Sequence, residues 1–265
     1  MNKTVVFLAV VCVLVAGSKI AISSEGGPRA IGLNYALRGA VSLNEGLYIN
    51  PASFGFTEKY SVETQVSFQN NQRIYNTSVV DTRTSSWGAA FGYSRVQPTA
   101  SDVVSDHQFH IAAAKRLGLI SLGVGGKAFL NDERKEFDGN AGVLIEPHPA
   151  LHIGLVGDNL FSKETREVGV GAQFNVKDIL LLSTDAVKKL TKPGFDILAG
   201  AEIIHARSGL SLRGGGQYNT AGAFESFSLG GGLSLHKVGL HYGFKQDLNT
   251  EIKDQIHSVA LRVFF

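Results

Sequence analysis

His107 and His110 are the first pair of side chains here with metal-binding chemistry. Successive side chains of a strand point to opposite faces, so a spacing of three keeps the imidazoles from sharing an ion. His148 and His152 would share a face, but Pro149 interrupts the strand between them. Asp196 and Glu202 fall on one strand face, yet extended backbone holds them roughly 20 Å apart, too far to act on one bond. Gly123–Gly126 and Gly214–Gly216 look like phosphate-cradling loops. Neither leads from a strand into a helix, and both fit glycine within a strand. The single cysteine, Cys12, lies in an apolar N-terminal run, so beyond that run no thiol is left for a metal site or a nucleophile. No nucleophile has a partnered base. The expectation is a protein that is not an enzyme and holds no metal and no cofactor.

The composition points elsewhere. A net charge of +2 gives no field that would draw nucleic acid. Gly is 31 of 265 residues, Pro only 6, and charged residues 18%, which suits a barrel wall better than a soluble surface. Lys3 followed by the uncharged run Val5 to Gly17 and small residues has the layout of a cleavable secretory signal, expected to occupy residues 1–23. Cleavage after Ser18, Ala21 or Ser23 fits equally. Val11 before Cys12 argues against a lipoprotein. No other segment approaches the about 18 apolar residues of a membrane helix. If the mature chain enters a membrane, it must do so as a closed barrel, because only closure pairs every strand edge in lipid.

From Tyr60 the chain alternates. Val62, Thr64, Val66 and Phe68 oppose Glu63, Gln65 and Ser67. Trp87, Ala89, Phe91 and Tyr93 oppose Gly88, Ala90 and Gly92. Val238, Leu240, Tyr242 and Phe244 oppose Gly239, His241, Gly243 and Lys245. Weaker strands fit near Gly139–Glu146 and Ile179–Asp185. These and similar runs give roughly thirteen segments of about ten residues, the length of a tilted membrane strand. Both ends on one side require an even number, and Asn71–Thr82 is the place for a missed strand. The reading is an all-β, single transmembrane antiparallel barrel of about fourteen strands, with twelve as the alternative. A soluble sandwich could show the same alternation; the signal, the missing thiol and the chain end tilt it to the membrane. One strand face carries Gly, Ser and Ala with isolated charges, which implies a narrow or partly filled lumen. Asp196, Glu202, Arg213, His241, Lys245 and Arg262 are its polar candidates. Trp87, Tyr93, Phe174, Tyr218, Phe227, Tyr242 and Phe265 are candidates for the two lipid–water girdles, or simply apolar wall. Lys188-Lys189-Leu190-Thr191-Lys192-Pro193 is a basic turn, read first as a solvated loop and second as a contact for lipopolysaccharide or the periplasm. At the end of the chain, Leu261, Val263 and Phe265 share a face; this resembles the C-terminal signal by which outer-membrane barrels are recognised for insertion, with the barrel-assembly machinery as partner.

Ala30 to Gly55 lacks a period of two. It reads as a compact, partly helical segment, turning where Asn50 precedes Pro51. Within it, Ala40 to Gly55 (AVSLNEGLYINPASFG) resembles the N-terminal segment of the FadL-type family of outer-membrane transporters, including its PorV-like branch. Asn50-Pro51-Ala52 matches that family's most recognisable triplet. Asp158-Asn159-Leu160-Phe161, Leu212-Arg213-Gly214-Gly215 and the SLGGGL run from Ser228 to Leu233 resemble the PorV-like branch. The resemblance implies a plug at residues 24–58 inside a barrel of residues 59–265, gated at Asn44, Glu45, Asn50, Pro51 and Ala52. It implies an outer-membrane protein set among lipid and lipopolysaccharide, taking up hydrophobic small molecules, fatty-acid-like or aromatic, passively. Its alternative is a non-transporting PorV-like barrel that is a scaffold or shuttle for secreted or envelope proteins. An Asn side chain could hold such a plug to barrel backbone or to Arg213 and Arg262. Asn50-Pro51 as a plain turn cap is the competing reading.

Overall fold

The computed structural model describes residues 26–99, 104–131, 135–248 and 254–265. The expected export signal lies outside the described residues. Fourteen antiparallel strands close into one barrel. In chain order they are β1 (Tyr60–Gln69), β2 (Gln72–Asp81), β3 (Trp87–Pro98), β4 (Asp106–Leu117), β5 (Ile120–Leu130), β6 (Lys135–His148), β7 (Leu151–Asp158), β8 (Glu167–Val176), β9 (Leu180–Lys189), β10 (Asp196–His205), β11 (Leu210–Asn219), β12 (Ala223–Ser234), β13 (Val238–Asp247) and β14 (Gln255–Phe264). Each pairs with its neighbours in sequence, and β1 pairs with β14 from Ser61↔Phe264 to Gln69↔Ile256. That last pairing removes the only two edges, so the ladder leaves no backbone row facing lipid. The strand expected within Asn71–Thr82 is β2. The weak segments at Gly139–Glu146 and Ile179–Asp185 belong to the longer β6 and β9. The β6–β7 register shifts between Ile145 and His148, where Pro147 has no N–H to give the ladder.

Burial runs opposite to that of a soluble sheet. Along β14, His257, Val259 and Leu261 are exposed while Ser258, Ala260 and Arg262 are buried. Across the barrel, exposed side chains are apolar, with Leu212 71%, Val124 61% and Ile111 60% exposed, while buried ones are Ser, Asn, Gln, Glu and Arg. An apolar outside and a polar inside is the arrangement of a barrel wall in lipid. Among the girdle candidates, Trp87, Phe174 and Phe265 lie at the end of the barrel where β1 begins and β14 stops. Tyr218 and Phe227 lie toward the opposite, loop end. Tyr93 and Tyr242 sit nearer mid-strand, where their hydroxyls meet His107 and His257 at 2.8 and 2.9 Å.

Residues 26–58 lie inside. They form α1 (Gly27–Gly32), α2 (Gly46–Ile49) and a 3-10 turn (Ser53–Phe56). Pro28 sits in the first turn of α1, where a fixed φ suits the helix and no N–H is missed. Asn34 and Tyr35 end α1 in left-handed conformations, φ 53° and 63°, and the Tyr35 N–H closes back on the Ala30 carbonyl at 2.7 Å. Asn50 is extended (φ −147°, ψ 103°), as a residue before proline should be. Apolar contact within this segment forms a small core of Ala30, Leu33, Leu37, Ala40 and Ile49. A second core joins Leu43, Leu47 and Phe54 to Val80, Ala90, Ala112 and Ala114 of the wall. At several points where segment backbone approaches wall backbone, the wall residue is glycine. Gly123 faces the Pro51–Ala52 peptide, Gly154 the Arg38 carbonyl, Gly215 the Leu33 carbonyl and Gly243 that of Pro28.

Candidate functional site

The inner segment is fastened to the wall by three groups of buried charges. At β14 and β1, the Arg262 guanidinium donates to Glu63 of the wall at 2.5 Å and to Glu45 of the segment at 2.6 Å. At β10 and β11, Arg29 of the segment donates to Glu202 at 2.9 Å, and Arg213 reaches the other Glu202 oxygen at 3.2 Å. At β8 and β9, Arg38 donates to Glu167 at 2.5 Å and approaches Asp185 at 3.5 Å; its backbone N–H also donates to Asp185 at 2.9 Å. The first two groups hold three arginines and three glutamates, so the buried charge balances. Such pairs persist where each charge keeps its partner, since an unpaired ion in a dry interior is costly.

Amide side chains add neutral fastenings. The Asn44 side-chain N–H donates to the Ser78 hydroxyl at 2.9 Å, and its carbonyl accepts from Ser61 at 2.5 Å. Asn34 makes the equivalent contact with Ser226 at 3.0 Å. Asn50 behaves differently. Its side-chain N–H donates to the Arg38 carbonyl at 2.7 Å and its oxygen caps the Ala52 N–H at 3.0 Å. Asn50-Pro51-Ala52 thus braces the segment internally and meets the wall by contact with Gly123, Gly142 and Gly154. Of the polar lumen candidates, Glu202, Arg213, His241 and Arg262 come together around this segment. Lys245 reaches the segment too, its ammonium over the Tyr35 ring at 5.6 Å while it pairs with Asp247 at 3.1 Å; Asp196 does not, and pairs with Lys189 at 3.2 Å near the loop end. Leu261, Val263 and Phe265 continue the outer face of β14 to the chain end.

Arg29, Arg38, Asn34, Ser78 and Asp185 were not singled out by the sequence reading. Their signal was present as two arginines, Arg29 and Arg38, in the inner segment, facing a wall whose inward set contained Glu167 and Glu202. A cavity of about 420 Å³ opens beside the segment, lined by Arg29, Glu45, Glu202, His241, Arg262 and Ser211 among others. No group of three metal-ligating side chains occurs among the described residues. His107 faces outward and His110 inward, as their spacing requires.

Glu45 carries a pH dependence. Burial alone would push its carboxyl up, but the Arg262 and Arg29 guanidiniums hold it down to about 2, from an ordinary 4.5. A depressed acid stabilises the attached state above pH 4.5 and loses that contribution as pH falls toward 2. Amide exchange of residues 26–58 is therefore expected to accelerate across that window in the wild type. Glu45→Gln, which titrates nothing there, should remove this part of the pH dependence; an identical profile in both would exclude Glu45 as its origin.

No family model and no curated protein matches the sequence. Solved structures do match. The toluene transporter TbuX of Ralstonia pickettii is similar with a TM-score of 0.72 at 12% identity, covering 92% of this chain and 100% of that one. The CymD monoaromatic hydrocarbon channel is similar with a TM-score of 0.69 at 10% identity, covering 90% and 97%. A Pseudomonas aeruginosa FadL homologue has a TM-score of 0.66 at 10% identity, covering 89% and 98%. At these identities what is shared is the architecture. The chain has the fold of the hydrophobic-compound channels to which it is similar.

Proposed function

We propose that this protein is an outer-membrane channel for passive uptake of hydrophobic small molecules, fatty-acid-like or aromatic, with residues 26–58 as a plug that gates it. The observation that carries this reading is the mode of attachment. The plug fills the lumen but is fastened by ion pairs and amide bonds at Arg262, Glu202, Asp185, Ser78 and Ser226. Such polar contacts exchange partners without unfolding the wall; beside them one apolar seam joins Leu43, Leu47 and Phe54 to Val80, Ala90, Ala112 and Ala114 of the wall. The similar structures, a toluene transporter and a monoaromatic hydrocarbon channel, supply the cargo class. The cavity beside the plug sets the charges of Arg29, Glu45, Glu202 and Arg262 beside the apolar side chains of Val41, Leu43, Ile204 and Phe264, and this mixed lining is what would meet an apolar cargo. Such a cargo passes only when the plug shifts and takes Glu45 and Arg29 with it. Chain ends in the periplasm and loops outside complete the reading, with insertion by the barrel-assembly machinery through Leu261, Val263 and Phe265.

The second reading is a non-transporting, PorV-like scaffold or shuttle. What favours it is the close seating of the plug, backbone against wall glycines, which leaves little room for motion. Proteoliposomes separate the two. The intact barrel is expected to take up a labelled long-chain fatty acid or a small aromatic hydrocarbon above empty liposomes, and deletion of Asn44–Ser53 is expected to change that rate. A folded barrel that moves neither compound would sink the transport reading and turn attention to protein partners.

A further inference from the structure

We infer that the outer face of β1–β4, at the loop end, is a binding site for the phosphate groups of lipid A in the outer leaflet. The patch is built by register. Arg73 is the second residue of β2 and lies opposite Phe68 on one side and Gln97 on the other. Arg95 of β3 lies opposite Tyr75 and His107. The two arginines are thus diagonal neighbours across one strand pair, about 7–8 Å apart at the backbone. Both side chains are exposed, while Ile74, Asn76, Ser94 and Val96, which alternate with them, are buried in the lumen. So both guanidiniums stand on the lipid side of the wall.

Neither guanidinium has a hydrogen bond or a carboxylate partner among the described residues. Among the described residues no acid shares this face: the neighbouring outward side chains are Val66, Phe68, Tyr75, Tyr93, Gln97 and His107. A cation on the lipid face of a barrel is costly at mid-membrane and tolerable only near the interface. Arg73 begins one residue, and Arg95 three residues, from the loop end of its strand. A flexible stem lets each head reach the headgroup layer. There the matching counter-charge is a phosphate monoester, which the guanidinium fork binds through two parallel N–H bonds. Phe68 and Tyr75 lie directly beside Arg73 and Arg95 to receive acyl chains.

The basic turn at the same end is not this site. The Lys188 ammonium is spent on the carbonyls of Lys192 and Gly194 at 2.7 and 2.9 Å. Lys189 pairs with Asp196, and Lys192 with Asp196 and Glu225. Its charge is neutralised within the protein. The assignment rests on the proposed orientation, loop end outward, but not on transport, so failed uptake would leave it standing.

The test is native mass spectrometry of the detergent-solubilised barrel titrated with bisphosphorylated lipid A. Arg73→Ala with Arg95→Ala is expected to weaken binding about tenfold or more, as two charge-assisted contacts are lost. Arg207→Ala, an exposed arginine at the other end, should leave it unchanged. Dephosphorylated lipid A and phosphatidylglycerol should bind the wild type at least about tenfold more weakly. Should the alanine variant not fold, the variant with lysine at both positions keeps the charge and loses the fork, and is expected to bind more weakly than wild type. Equal binding by the folded double variant, or equal binding of phosphatidylglycerol or dephosphorylated lipid A to the wild type, would overturn the assignment.

Discussion

Arg262→Met is expected to destabilise the protein by about 3–5 kcal/mol, because it leaves two buried carboxylates without their cation. Glu45 and Glu63 are 1% and 2% exposed, and Arg262 lies between them at 2.6 and 2.5 Å. The other arginines nearby are committed to Glu202. Without Arg262 the two acids must take up protons or draw in water, and either loosens Glu45 and the plug with it. The triple variant Arg262→Met, Glu45→Gln, Glu63→Gln removes the charges together and is expected to recover most of the loss. Denaturant unfolding in lipid vesicles gives the energies; amide exchange of residues 26–58 shows whether the plug loosens first. A single variant within about 1 kcal/mol of wild type would mean that water already shares the Arg262 site, and that this ion group does not hold the plug.

The two faces of the closing strand were legible from its end, because lipid outside and a filled lumen inside impose a strict period of two on Ser258 to Phe265; that it belongs to a barrel took the alternation of the other strands. The need for an even strand number, not alternation, pointed to β2 within Asn71–Thr82, where Thr77 and Val79 face lipid and Asn76 and Ser78 face inward. What periodicity could not supply was the third dimension of the lumen. Glu202 and Arg213 read as isolated inward charges, since nothing in β10 or β11 says that Arg29, well over a hundred residues earlier, will take the second Glu202 oxygen. Asp196 shares the face of Glu202 but belongs to a separate cluster with Lys189, as six residues of strand between them require. Asn50-Pro51 stood out by type, yet its amide braces the segment internally. The plainer Asn44 and Asn34 reach the wall, because each sits beside an inward serine, Ser78 and Ser226.

The strand glycines divide the same way, and this separates a structural wall from a seat for the plug. Gly154→Val is expected to cost about 3 kcal/mol, the upper range for overpacking, and to open the lumen. A side chain at Gly154 would run into the Arg38 carbonyl, which is backbone and cannot rotate aside, and into the Asn50 amide bonded to it. Moving Arg38 also strains its contacts with Asp185 and Glu167. By contrast Gly126 and Gly214 face lipid, and a methyl there meets the Ile111 or Leu229 side chain at 3.5 Å and, at Gly214, the Ser228 carbonyl oxygen at 3.6 Å, all ordinary contacts. Gly126→Ala and Gly214→Ala are therefore expected to stabilise the wall by about 0.4–1 kcal/mol through reduced freedom of the unfolded chain. Planar-bilayer recordings add the second readout: ion conductance should appear in Gly154→Val and be absent in the two outward variants. If Gly154→Val were as stable and as silent as wild type, the inner segment would have another resting place in the lumen, and attachment at Arg38 would not be what fills the barrel.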